Sequence, residues 1–210
     1  MKLLLTGFEP FGGSRLNPSE QVVQTLAGQT FANVQLHTAI LPVDRERGPA
    51  RLLEAVWAVE PEAVLCLGEA AGRPALSVER VAINLLDFGI ADNGGQQVVD
   101  EPIVPGGPAA YFVTLPVRAL AATIRAAGVP AELSLSAGSF LCNQVLYVLL
   151  HNLAPSNPTP PAAGFIHLPR LPEQAAQGPV LTASMSLDTM LTGIRAAIET
   201  LGGEKLRPTI

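Results

Sequence analysis

The chain reads as an α/β protein, an α/β/α sandwich in which parallel strands carry helices on both faces. Strand-like runs alternate with helical patterns along the sequence, as βαβ architectures require. The run Ala63–Leu67 is continuously apolar and stops at Gly68, the pattern of a strand buried on both faces. With 210 residues, 48% hydrophobic and 15% charged, the chain can bury one large core, so a single domain over residues 1–210 is expected.

The elements follow in order. Lys2–Thr6 begins like a signal peptide, but Gly7 and Glu9 interrupt the apolar stretch, and it reads as a first buried strand. The turn Gly7–Gly13 has the glycine spacing of a phosphate loop yet lacks its lysine and hydroxyl, and Glu9 has the wrong charge for phosphate. A helix over Ser19–Leu26, a strand over Val34–Leu41 and a helix over Asp44–Trp57 lead into the Ala63–Leu67 strand. A further strand over Leu76–Asn84 is followed by the long segment Ile90–Gly107, whose length marks a functional or mobile loop. A helix over Leu115–Ala127 precedes the strand Glu132–Ala137. Gly138-Ser139 then form a turn, with Ser139 as N-cap of a helix over Phe140–Leu153. Leu153–Ala163 is a proline-rich exposed connector, Gly164–Leu168 a strand stopped by Pro169, and Met185–Leu201 the last helix. There is no internal repeat.

Composition narrows the function. Thirteen basic against 18 acidic residues give a net charge of -5 with no basic cluster, which excludes nucleic acid as an expected partner. No segment approaches the ~18 apolar residues of a membrane span. Two cysteines make no disulfide framework, so a reducing, cytoplasmic setting is expected.

Cys142 falls in the first turn of its helix, where free N–H groups and the dipole favour a thiolate. A cysteine on an apolar helix is also ordinary core filling, as Cys66 is expected to be, but Asn143-Gln144 and the polar turn set Cys142 apart. Of three histidines, His37 belongs to an alternating strand and His151 lies near a helix C-terminus, where it suits the dipole and solvent. His167, which ends an apolar run, is either a buried structural histidine or a base. Glu79 is a charge inside a strand whose neighbour Arg80 points to the opposite face, so it needs another partner. A carboxylate that orients an imidazole, which in turn activates a thiol, is the logic of a Cys-His-acid triad. With no H-E-x-x-H and no C-x-x-C, zinc has few ligands, and neither a metal nor another cofactor is expected.

Several stretches together resemble the pyroglutamyl-peptidase I family of cysteine peptidases. They are Leu5–Gly13, Asn17–Ser19, Gly72-Arg73, Glu79–Asn84, Asp92-Asn93, Gly107–Tyr111, Leu115-Pro116, Ser136–Asn143 and Gly164–Pro169. The resemblance covers most of the chain. It implies a single α/β/α domain around a twisted mixed, mainly parallel sheet, release of N-terminal pyroglutamate from peptides through a thioester, and a homodimer or homotetramer. It places Glu79, Cys142 and His167 on the triad and maps Phe8, Phe11, Ile90, Phe140 and Leu141 onto a lactam pocket, with Asn17 and Glu69 as further substrate-binding candidates. Aromatic faces suit a small, flat, uncharged ring.

Two departures stand out. Gly89 occupies the place of an arginine common in the family, and Glu69 the place of a frequent glutamine. Arg73 or Arg80 is available to substitute for the missing guanidinium, and the Glu69 carboxylate would disfavour a thiolate. The alternatives are an amidase of altered acyl specificity and a non-catalytic binder of capped peptides.

Overall fold

The computed structural model describes residues 1–153, 160–178 and 180–203. In chain order the elements are β1 (Lys2–Phe8), α1 (Pro18–Leu26), β2 (Gln35–Leu41), α2 (Arg47–Val59), β3 (Ala63–Glu69), β4 (Leu76–Glu79), β5 (Val81–Ile83), β6 (Ala110–Phe112), α3 (Val117–Ala126), β7 (Ala131–Ser134), α4 (Leu141–Leu153), β8 (Ala162–Leu168), α5 (Pro172–Gln177) and α6 (Leu187–Gly203). Six strands form the main sheet in the order β2-β1-β3-β8-β4-β7. All neighbours are parallel except β4 and β8, so β4 and β7 run against the other four. This is the mixed, mainly parallel sheet of an α/β domain, with β1, β3 and β8 at its apolar centre.

Strand alternation sorts the side chains between the two faces. On one face Gly7 lets α1 close in: a Cβ there would lie 2.5 Å from the Ser19 carbonyl oxygen. Asn17 caps that helix, its Oδ1 accepting from the Ser19 N–H at 2.9 Å. On the other face Cys66 and Gly68 of β3 register with Phe165 and His167 of β8, and Ser77 of β4 with His167. Glu79, two residues beyond Ser77, shares that face as a diagonal neighbour of His167.

Three expectations need correction. Leu76–Asn84 is not one strand: after Glu79 the chain leaves the main sheet, and β5 pairs with β6 in a separate two-stranded sheet. The segment leading to Cys142 leaves the edge strand β7 and returns across the sheet to start α4 over Gly68, which lies within contact of the Cys142 sulfur. The Ser139 hydroxyl does not cap α4 but donates to the Asp87 carbonyl at 2.8 Å. His151 is not simply solvated: its Nδ1 lies 2.8 Å from the Tyr111 hydroxyl and its ring stacks on Tyr147. The proline-rich connector lies mostly outside the described residues.

Candidate active site

Glu79 is fully buried at the end of β4, and His167, 4% exposed, sits near the end of β8. His167 Nδ1 lies 2.7 Å from Glu79 Oε1. A carboxylate only accepts, so Nδ1 carries the proton and donates it, leaving Nε2 as the basic nitrogen. Arg73 Nη1 donates to the same Oε1, also at 2.7 Å. Arg73, not Arg80, is therefore the cation that makes the buried carboxylate tolerable. Burial lowers the His167 pKa from its ordinary range, with Glu79 opposing and Arg73 reinforcing the shift.

Cys142 is the second residue of α4, where helical N–H groups have no acceptor a turn earlier. The next two side chains fasten this helix end. Asn143 Oδ1 accepts from the Ile83 N–H at 2.9 Å, while its Nδ2 donates to Ile83 and Leu85 carbonyls at 2.9 and 3.1 Å. Gln144 Nε2 donates to the Arg45 carbonyl at 2.8 Å. The polar pair beside the cysteine thus splints the helix start. The thiol itself is pushed above its ordinary range, first by burial and then by the negative charge of Glu79 and Glu69, with Arg73 opposing. Burial and the two carboxylates thus work against the thiolate that a helix start favours.

Cys142 and His167 line one cavity of about 270 Å³, near the lower end of the ~300–1,000 Å³ of small-molecule sites. Of the residues expected in the pocket, Phe8, Phe11, Asn17, Glu69, Phe140 and Leu141 line it. Phe140 packs between Phe11 and Phe88, with centroids 6.0 and 4.6 Å away. Ile90 is the exception. It is 47% exposed, outside the cavity lining and beside Gly12. Asn17 and Glu69 contribute to the wall, but their polar atoms are committed elsewhere. Asn17 holds Ser19 and the Glu9 carbonyl. Glu69 accepts from Arg170 Nε at 3.0 Å and Gln174 Nε2 at 2.9 Å.

Sequence reading missed the direct role of Arg73 and the walls at Ala70, Ala71, Ala137 and Gly138. Small residues carry no chemical signal. For Arg73 the signal was the unpartnered Glu79 six residues downstream.

The family model described as pyroglutamyl peptidase matches residues 1–204. A pyrrolidone-carboxylate peptidase from Gloeobacter violaceus is 50% identical over 205 residues, 98% of either chain. Another from Chromobacterium violaceum is 46% identical over 197 residues, covering 94% of this chain and 90% of its own. Among solved structures, the crystal structure of pyroglutamyl peptidase I from Bacillus amyloliquefaciens has a TM-score of 0.92 at 38% identity, with 97% of each chain covered. A mutant pyrrolidone carboxyl peptidase from Pyrococcus furiosus has a TM-score of 0.93 at 40% identity, covering 99% of this chain and all of its own.

Proposed function

The chain belongs to the pyroglutamyl peptidase family, and from that premise we propose that it removes N-terminal pyroglutamate with Cys142 as nucleophile, His167 as base and acid, and Glu79 as the group that orients the imidazole. The enzyme is a hydrolase, a cysteine peptidase of the pyroglutamyl-peptidase I type. The observation that carries the assignment is the 2.7 Å contact between His167 Nδ1 and Glu79 Oε1 in the cavity that Cys142 also lines.

The pyroglutamyl ring lies among Phe8, Phe11 and Phe140, which bring its carbonyl carbon to Cys142. As sulfur attacks, His167 Nε2 takes the thiol proton, so nucleophile and imidazolium arise together. The imidazolium forms next to Glu79, which steadies it. The oxyanion is met by the Cys142 backbone N–H at the positive end of α4. Collapse expels the amine, which leaves with the proton from His167, and a thioester remains on Cys142. Water, deprotonated by His167, then releases pyroglutamate. The substrates are peptides with an N-terminal pyroglutamyl residue, the setting is cytoplasmic, and the working form is a homodimer or homotetramer of a single catalytic domain.

Turnover of a pyroglutamyl coumarin amide tests this reading. The protein should release coumarin, and Cys142→Ala should release none above the uncatalysed rate. Turnover by Cys142→Ala near the parent rate would remove the nucleophile assignment.

A further inference from the structure

Arg73 leaves the turn between β3 and β4 and does three things at once. It lines the cavity. Its Nη1 donates to Glu79 Oε1 at 2.7 Å and to the Ser134 hydroxyl at 3.3 Å. Its Nη2 donates to the Ser136 carbonyl at 2.8 Å. Ser136 belongs to the segment that becomes the cavity wall at Ala137 and Gly138 and then the helix start bearing Cys142. One guanidinium therefore ties the acid behind His167 to the segment in front of the nucleophile.

We propose that Arg73 is a positioning residue for the peptidase reaction, holding Glu79 Oε1 against His167 and supplying the positive charge that balances that carboxylate. The proposal rests on the assignment of Cys142, His167 and Glu79 above. Its physical basis is the cost of a buried, unbalanced charge. With Arg73 in place the Glu79–Arg73 pair is neutral overall, and His167 can stay neutral, the form that accepts the thiol proton. Without it, His167 faces a bare buried carboxylate and holds a proton to higher pH. Among the described residues, the other titratable groups on this face do not replace it. Cys142 on α4 and Cys66 on β3 are not cations. The Glu69 carboxylate is occupied by Arg170, and Glu132 on β7 is reached only through the Ser77 hydroxyl. The fork also matters: two nitrogens serve three acceptors on two segments, which a lysine ammonium on a flexible stem does not reproduce.

The test is the pH profile of kcat/KM on a pyroglutamyl coumarin amide for the parent, Arg73→Gln, Arg73→Lys and Glu79→Gln. The acid limb reports protonation of the free enzyme's base. In Arg73→Gln it should move to higher pH by about one unit, leaving the variant about tenfold slower below the limb. In Glu79→Gln it should move the opposite way, because the imidazolium loses its anion. Arg73→Lys should return the limb close to the parent's while kcat stays several-fold low, because the charge is restored and the fork is not. An Arg73→Gln profile that is merely scaled down, with its limb unmoved, overturns the proposal, as does Arg73→Lys with the parent's kcat. If Arg73→Gln does not fold, the Arg73→Lys measurement decides alone. Failure of the triad assignment looks different: Glu79→Gln then keeps both the parent's rate and its limb.

Discussion

The Cys142 sulfur occupies the space that a side chain on Gly68 would need. A methyl carbon at position 68 would lie 2.7 Å from Cys142 Sγ and 2.7 Å from Phe165 Cζ. Gly68 registers with His167 across the β3–β8 pair, so the notch that seats the sulfur belongs to the strand beside His167. Phe165 closes the other side, with its ring centroid 4.7 Å from that of His167. Glycine is required here by space, not by backbone conformation.

Gly68→Ala should therefore damage activity more than its size suggests. Overpacking of a filled interior costs about 1–3 kcal/mol, and relief is available chiefly by pushing the sulfur off its seat. A misplaced nucleophile loses on the order of 100-fold in rate. We expect kcat/KM to fall by that order while the urea midpoint falls modestly. An alanine variant with the parent's kcat/KM would show that the sulfur can shift without consequence.

The two cysteines should behave oppositely. Cys66 is fully buried and its thiol is pushed up to about 12, so it offers no thiolate and no path for a reagent. Cys142 opens into the cavity and has His167 to take its proton. Iodoacetamide should inactivate the enzyme through Cys142 alone, and Cys66→Ala should keep most of the activity. Peptide mapping that finds Cys66 modified in step with inactivation would reverse the assignment.

Much of this is legible in the sequence, and the parts that are not share a cause. Apolar runs and helical periods located β1, β3, β8 and α4 because their signal is local. Glu79 announced itself by being a charge in a buried strand. What escaped depended on pairing between distant segments. The chain's departure from the sheet after Glu79 is decided by β6, some 30 residues later, and the reversed direction of β4 and β7 by their neighbour β8. The upward push on the thiol escaped for the same reason. A helix start can be read from sequence, but the two carboxylates beside it are brought there by other strands.

Stability should depend on pH through His167. Burial holds its folded-state pKa below the ordinary value of about 6.5. Just below that pH the unfolded chain binds the proton and the folded one does not, so stability falls as pH falls and rises as pH rises. The slope reaches at most about 1.4 kcal/mol per pH unit and ends once pH passes the folded pKa. His167→Gln, which has nothing to titrate there, should lose less stability between about pH 7 and pH 5. Parallel urea midpoints for the two proteins across that window would contradict this.

Gly89 should accept an arginine. Among the described residues no atom lies within 4 Å of where its Cβ would be, and its backbone is not left-handed, so a side chain meets neither clash nor strain there. Gly89→Arg should leave stability within about 0.5 kcal/mol of the parent and reduce backbone freedom in the segment from Asp87 to Gly95. Raised kcat/KM, or slowed hydrogen exchange in that segment, is the expected outcome. Unchanged kinetics together with unchanged exchange would show that an arginine is dispensable at this position.

Selectivity for the lactam follows from what the cavity offers and what it withholds. Phe8, Phe11, Phe140 and Leu141 give it apolar walls, and Glu69, the carboxylate in its lining, has both oxygens engaged by Arg170 and Gln174. A prolyl or glutaminyl substrate brings an N-terminal ammonium that must be stripped of water with no free anion to receive it. Proline also lacks the ring carbonyl, so any donor that meets this group is left unpaired. Each unmet polar group costs about 1–3 kcal/mol, or roughly 5–150-fold in kcat/KM. Pyroglutamyl amides should therefore exceed prolyl and glutaminyl amides of the same leaving group by at least tenfold. Arg170→Ala should narrow that gap, because it frees one Glu69 oxygen to attract an ammonium. Equal efficiencies in the parent, or a preference for a charged N-terminus, would overturn the lactam assignment and make Glu69 an ammonium anchor.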